Sequence, residues 1–172
     1  MRLVGFNAGH GTAIWLEGTS VQMVHSFDIM INPYSLGSAG LINALYPGRF
    51  VMHAGDSLVT VTDYIREKER GRAPACDLWL VDGAHTGIRP MRDLLNAWSS
   101  ARNGSTIVAD DCHRHWGYVV DAWQRMVRTG GYAHSTDTPR IRAPTTFPSK
   151  MFHQRNMGHG GSGFCAGVAV IP

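Results

Sequence analysis

Short apolar runs alternate with amphipathic segments along the first 130 residues of this 172-residue chain, and few architectures accommodate that rhythm. An apolar run bounded by turn residues reads as a strand buried on both faces, and a segment with a period near 3.6 reads as a covering helix. Strand and helix in strict alternation predict an α/β fold, because parallel neighbours need a crossover and the crossover supplies the helix. Strands are expected at 2–5, 21–27, 50–54, 78–81, 106–109 and 165–171. Helices are expected at 10–16, 34–45, 61–68, 90–98 and 116–127, several ending at Gly or before Pro-Gly. The chain is long enough for one sizeable core, so a single domain over 1–172 is predicted. From 133 to 163 the period dissolves into Pro, Thr, His and Gly. An active-site flap, irregular strands and disorder are all compatible with that stretch.

Charge and cysteine usage narrow the setting. The net charge of +3 is spread out, and only Arg66, Lys68, Arg70 and Arg72 form a run. That run reads as the solvated end of a helix rather than a nucleic-acid footprint, so nucleic acid is not expected as a partner. Cys76, Cys112 and Cys165 are odd in number with no CxxC spacing, which supports neither a disulfide framework nor a zinc knuckle. A reducing compartment follows as the default. No apolar run reaches the roughly 18 to 20 residues of a membrane span, and the N-terminus lacks a signal pattern. A soluble, cytoplasmic protein is expected.

The chemistry-bearing residues fall where strands end. The first strand opens into Gly5-Phe6-Asn7-Ala8-Gly9-His10-Gly11, a turn whose glycines let backbone approach a ligand at a helix N-terminus, though such turns also arise for packing alone. About twenty residues on, Asp28 ends the second strand, where a carboxylate can accept both hydroxyls of a ribose; capping the next helix is its rival role. Asp56 and Ser57 follow the third strand, with Asp56 placed to take an adenine amino group or to cap a helix. Asp82 and His85 follow the fourth strand, and Asp110, Asp111 and His113 the fifth. Acids therefore ring the carboxyl edge, where open α/β sheets bind ligands. Each has a bland reading as well: Asp110 or Asp111 as a helix cap, His85 as a turn residue bonded to backbone. His113, His115, His153 and His159 lack a compact ligand spacing, so a zinc site is not expected from them.

Taken in order, the glycine turn, Ser26-Phe27-Asp28, Tyr46-Pro47-Gly48-Arg49-Phe50, Gly55-Asp56-Ser57, Val81-Asp82-Gly83-Ala84-His85 and Asp110-Asp111 resemble the class I methyltransferase family called methyltransferase domain 24. The resemblance covers roughly residues 1–130. It implies a Rossmann-like, mostly parallel seven-stranded sheet whose last strand is antiparallel, with helices on both faces. It also implies methyl transfer from S-adenosylmethionine held by Gly5, Phe6, Asn7, Ala8, Gly9, His10, Asp28, Asp56, Ser57 and Asp82. By similarity to metal-dependent O-methyltransferases, Asp82, Asp110 and Asp111 would hold Mg2+ or another divalent cation, with His85 or His113 as the base. Three oxygen donors on one rim suit a hard cation.

Two features depart from the family. Leu3 stands where members carry an acid two positions before the first glycine. The chain also starts almost at the first strand, without the helices that commonly cover the cofactor; the segment 133–163, a second copy, a partner subunit, or residues beyond a fragment's end would have to supply that cover. Trp116, Tyr118, Phe147, Met151 and Phe152 are candidates to line an acceptor pocket, with Trp116 and Tyr118 equally suited to a helix core. A small hydroxylated acceptor is the leading expectation, ahead of metal-independent methyl transfer and of a non-catalytic module keeping the cofactor fold as a scaffold. A nicotinamide oxidoreductase ranks below these, because the turn lacks GxGxxG spacing and acids would crowd the nicotinamide.

Overall fold

The computed structural model describes residues 1–129 and 163–169. Strands and helices alternate as β1 (Arg2–Val4), α1 (His10–Gly18), β2 (Val24–Asp28), α2 (Ser35–Leu45), β3 (Phe50–Ala54), α3 (Ser57–Glu69), β4 (Cys76–Val81), α4 (Arg89–Ser100), β5 (Ala101–Ala109), α5 (Gly117–Thr129) and β6 (Cys165–Val168). The sheet runs β3-β2-β1-β4-β5-β6, parallel throughout except for β6, which pairs antiparallel with β5. The expected fold class is thus the observed one, with six strands among the described residues where seven were expected. The stretch 133–162, with Phe147, Met151, Phe152, His153 and His159, lies outside the described residues.

Alternation along the strands builds two cores. On one face Val4, Phe27, Trp79 and Val81 meet Val61 and Tyr64 of α3, Leu94 and Ala97 of α4 and Trp123 of α5. On the other, Phe6, Val24 and Phe50 meet Leu16 of α1 and Ala39 and Ile42 of α2. Trp79 and Phe27 are fully buried and stacked with centroids 5.9 Å apart. Side chains of this size lose several kcal/mol of transfer free energy if truncated. They fix β1, β2 and β4 side by side, and so fix the three turns that follow them.

The basic run is a helix end, as expected. Arg66 pairs with Asp63, Arg70 and Arg72 pair with Glu67, and the Lys68 ammonium donates to the Ser99 and Ala101 carbonyls. Among the described residues no helix is long and apolar enough to cross a membrane. The cysteine reading needs correction, because Cys112 and Cys165 are bonded to each other. Antiparallel pairing sets Cys165 opposite Ala109, beside the turn that carries Cys112. A separation of 53 residues hides that adjacency from any reading of local spacing. Cys76 remains a buried thiol.

A polar patch interrupts the first core near the β3 edge. His25 Nδ1 lies 3.0 Å from His53 Nε2, and Arg2 donates to the Tyr64 hydroxyl and to the Met1 carbonyl. Burial, then the nearby Arg2 and His53, push the His25 imidazole down to about 3. The folded state therefore holds fewer protons than the unfolded chain between that value and the ordinary 6.5, and the contribution of neutral His25 is lost as pH falls through this window. Replacing His25 by Leu is expected to flatten the decline in unfolding free energy between about pH 6 and pH 4 relative to the parent, read by urea denaturation at each pH.

Candidate functional site

Parallel strands ending at one edge bring five turns together, and the β1 turn is the most constrained of them. Gly5 has φ +92°, and a Cβ there would stand 1.8 Å from the Asp82 carbonyl oxygen, so only glycine lets the β1 turn pass the end of β4. The chain then reverses through Asn7, itself at φ 51°, and enters α1 at Gly9, whose φ is 81°. Gly9 offers no side-chain cap, so the first amides of the helix around His10 face the rim without a side-chain acceptor. His10 and Asn7 are exposed and Ala8 is half-buried.

The β2 acid holds this turn in place. One Asp28 oxygen accepts the Phe6 and Asn7 amides at 2.7 and 2.9 Å, and the other accepts the Met30 amide at 2.6 Å. The capping role considered for Asp28 is not realised, since Tyr34 stands at the N-cap of α2. Asn7 is gripped further by Tyr34 and Asn32 on its side-chain oxygen and by Ser35 on its carbonyl. Turn and acid thus form one unit at the carboxyl ends of β1 and β2.

At β3 the rival reading holds. Asp56 caps α3 by accepting the Leu58 amide, and it forms a two-pronged pair with Arg89 at 2.9 Å on each oxygen. The guanidinium and the amide hold its carboxyl below the usual carboxylate range. Ser57 donates to Asp93 at 2.7 Å. Asp93 is 1% exposed, and burial pushes it up to about 6 despite the Ser57 bond. Arg89 and Asp93 were not anticipated. Four residues apart on an amphipathic helix, they look in sequence like a surface ion pair, whereas each in fact reaches toward the start of α3.

Beyond β4 and β5 lies a second cluster. Asp82, His85 and Asp111 each offer a ligand atom within 4.8 Å of the others. His85 Nε2 is 3.3 Å from Asp111 Oδ2 and 3.7 Å from Asp82 Oδ1; His113 Nε2 faces the other Asp111 oxygen at 3.4 Å. Both ring nitrogens are shielded from solvent, and neither makes a hydrogen bond among the described residues. Burial first, then the charges of Asp110 and Asp111, raise the Asp82 carboxyl to about 7. Asp111 sits at φ 52°, a left-handed conformation that turns its side chain toward the two imidazoles. Asp110 instead accepts its neighbour's amide and stands outside the trio. Trp116 stacks at a tilt on His85, centroids 4.7 Å apart, and Trp116 and Tyr118 are both exposed rather than core. A donor set of two carboxylates and an imidazole, with the imidazole nitrogen unbonded, fits a divalent cation.

A sheet of this order with its antiparallel last strand, a glycine turn after β1 and an acid after β2 is that of a class I S-adenosylmethionine-dependent methyltransferase. Residues 4–112 match the methyltransferase domain family, and the chain belongs to that family. No curated protein matches it in sequence. Among solved structures it is similar to an O-methyltransferase from Bacillus cereus in complex with S-adenosylhomocysteine (SAH), at 16% identity and TM-score 0.61 over 97% of this chain and 72% of that one. It is also similar to MycE, a methyltransferase of the mycinamycin biosynthetic pathway with Mg and SAH bound, at 11% identity and TM-score 0.60 over 98% of this chain and 44% of that one. An rRNA methylase from Streptococcus thermophilus aligns at 12% identity and TM-score 0.62 over 99% of this chain and 87% of that one. At these identities the likeness is one of fold.

The Asp93 shift has a sign that can be checked. Its carboxyl holds a proton in the fold up to about 6, against an ordinary 3.8, so stability drops as pH rises through that window and the full penalty stands above it. Asp93→Asn is expected to stabilise the protein by up to about 3 kcal/mol at pH 8 and by little at pH 4, compared by urea denaturation at both.

Proposed function

We propose that this methyltransferase moves the methyl group of S-adenosylmethionine to a hydroxyl oxygen of a small molecule seated beside β4 and β5, with a divalent cation on that rim. The observation that carries the reading is the meeting of Asp82, His85 and Asp111 one strand away from the turn that Asp28 braces. When bound, the cofactor would supply an electrophilic methyl, and a cation held by Asp82 and Asp111 would lower the pKa of an acceptor hydroxyl.

The chain's own residues divide the remaining work. The Gly5–Gly9 turn and the open end of α1 receive the polar end of the cofactor, and Asp28, whose Oδ1 accepts only the Met30 amide while Oδ2 takes the other two, keeps one acceptor site for a ribose hydroxyl. Asp56, already committed to Arg89, has little left for an adenine amino group, so that contact is assigned to the neighbouring backbone and to Ser57. His113 takes the acceptor's proton, being the imidazole beside Asp111 that does not also face Asp82. Trp116, partly exposed and packed on His85, offers aromatic surface beside the trio for an acceptor ring. Positioning the acceptor oxygen in line with the methyl then contributes the larger part of the rate.

Two sets of measurements test this. Calorimetric titration with SAH is expected to give micromolar binding, and Asp28→Ala to weaken it at least about tenfold, since hydrogen bonds to a charged group contribute about 1.5–3 kcal/mol each. Unchanged SAH affinity in that variant would remove Asp28 from the cofactor site. Turnover, followed as SAH release across a panel of phenols and sugar alcohols, is expected to fall at least about a hundredfold in Asp111→Ala and in excess chelator, with SAH affinity kept within about threefold. Turnover that survives both changes would favour methyl transfer without metal.

A further inference from the structure

We propose that His85 is a metal ligand and makes this rim a mixed nitrogen and oxygen site, one that takes a first-row transition ion of the Mn2+ or Co2+ kind in preference to Mg2+. The inference rests on the cation reading above and adds to it the identity of the ion and the donor that selects it.

Three observations converge on it. First, His85 Nε2 belongs to the same group of donor atoms as the Asp82 and Asp111 carboxylates. Its 3.3 Å separation from Asp111 falls within the roughly 3.0–3.4 Å between adjacent ligands that share an ion at about 2.1 Å, and the 3.7 Å to Asp82 lies beyond it by a few tenths of an ångström. Second, that nitrogen is sheltered from solvent and makes no hydrogen bond among the described residues, a costly arrangement for a polar atom unless something binds it. Third, the imidazole and the Asp111 carboxylate each have a neighbouring ring. Trp116 packs against the imidazole, and His113 Nε2 lies 3.4 Å from the Asp111 oxygen that His85 does not face.

The donor chemistry then selects the ion. Mg2+ is hard, gives up water reluctantly and prefers an all-oxygen octahedron, whereas imidazole suits borderline transition ions. Asp110 stands outside the donor group, with one oxygen on the Asp111 amide, so the donors that meet are two carboxylates and an imidazole rather than three carboxylates. His85 supplies nitrogen in place of the third.

Any site with carboxylates favours transition ions somewhat, so the test turns on His85. The full chain, stripped with chelator, is titrated separately with MnCl2, CoCl2 and MgCl2 by calorimetry, with the visible spectrum of the Co2+ form recorded. Mn2+ and Co2+ are expected to bind at least about tenfold more tightly than Mg2+. His85→Ala is expected to lose at least about tenfold in Co2+ affinity and to change the Co2+ spectrum, with Mg2+ affinity moving less than about threefold. His85→Asp, which restores a third carboxylate, is expected to narrow the gap between Mg2+ and Co2+. Equal affinity for the three ions, or Co2+ binding and spectrum indifferent to both variants, would overturn the proposal and leave an all-oxygen cation site standing. Absence of binding by any of the ions would overturn the cation reading as well, while SAH titration of the same sample would still report on the cofactor site.

Discussion

The approach of two strand ends sets the geometry on which the rest of this protein depends. The turn after β1 passes so near the Asp82 carbonyl that Gly5 has no room for a Cβ. That contact aligns the glycine turn with the β4 acid. The same turn hands two amides to Asp28, so β2 is tied in as well. Three strand ends are thereby fixed by backbone and one carboxylate, before any ligand arrives. The open end of α1 and the Asp82, His85 and Asp111 trio fall on opposite sides of this junction.

Much of this was legible in the sequence, for a physical reason. Parallel strands buried on both faces must be apolar and short, and their crossovers must be amphipathic, so the order of elements is written in periodicity. β3 and the start of β6 fall where the apolar runs placed them, and α3 begins earlier than its apolar stripe because Asp56 caps it. The acids at strand ends were legible for a related reason, since parallel topology sends every such end to one edge. What the acids do there was less so. Asp28 and Asp56 both stand at the ends of neighbouring strands, Asp28 opposite Ala54 and Asp56 two residues beyond it, yet one braces a glycine turn and the other caps a helix and binds Arg89. Local spacing cannot separate those fates, because Arg89 reaches Asp56 from 33 positions away.

The same limit applied to charges inside the fold. Asp93 lies among apolar residues of α4 and reads as an outward-facing acid until α3 closes over it. Arg2 sits in a strand and is 3% exposed, with Tyr64 and a backbone carbonyl as partners. The two lie at opposite ends of the same layer, Arg2 at the start of β1 and Asp93 beneath the rim. Stability has an acid side to which His25 contributes and an alkaline side to which Asp93 and Asp82 contribute.

The bond between Cys112 and Cys165 has a topological consequence. It joins the residue after Asp111 to the last described strand and closes a ring that contains α5 and every residue from 113 to 164. In the chain-entropy picture a ring of this size restricts the unfolded chain by about 4 kcal/mol. The ring also makes the sheet indifferent to a single break in its own circumference. A protease that cuts once between the two cysteines leaves β6 attached to β5 by a covalent path, and the two fragments travel as one molecule until the sulfurs are parted. The strand that closes the sheet is thus secured to the acid-bearing turn independently of the peptide chain between them.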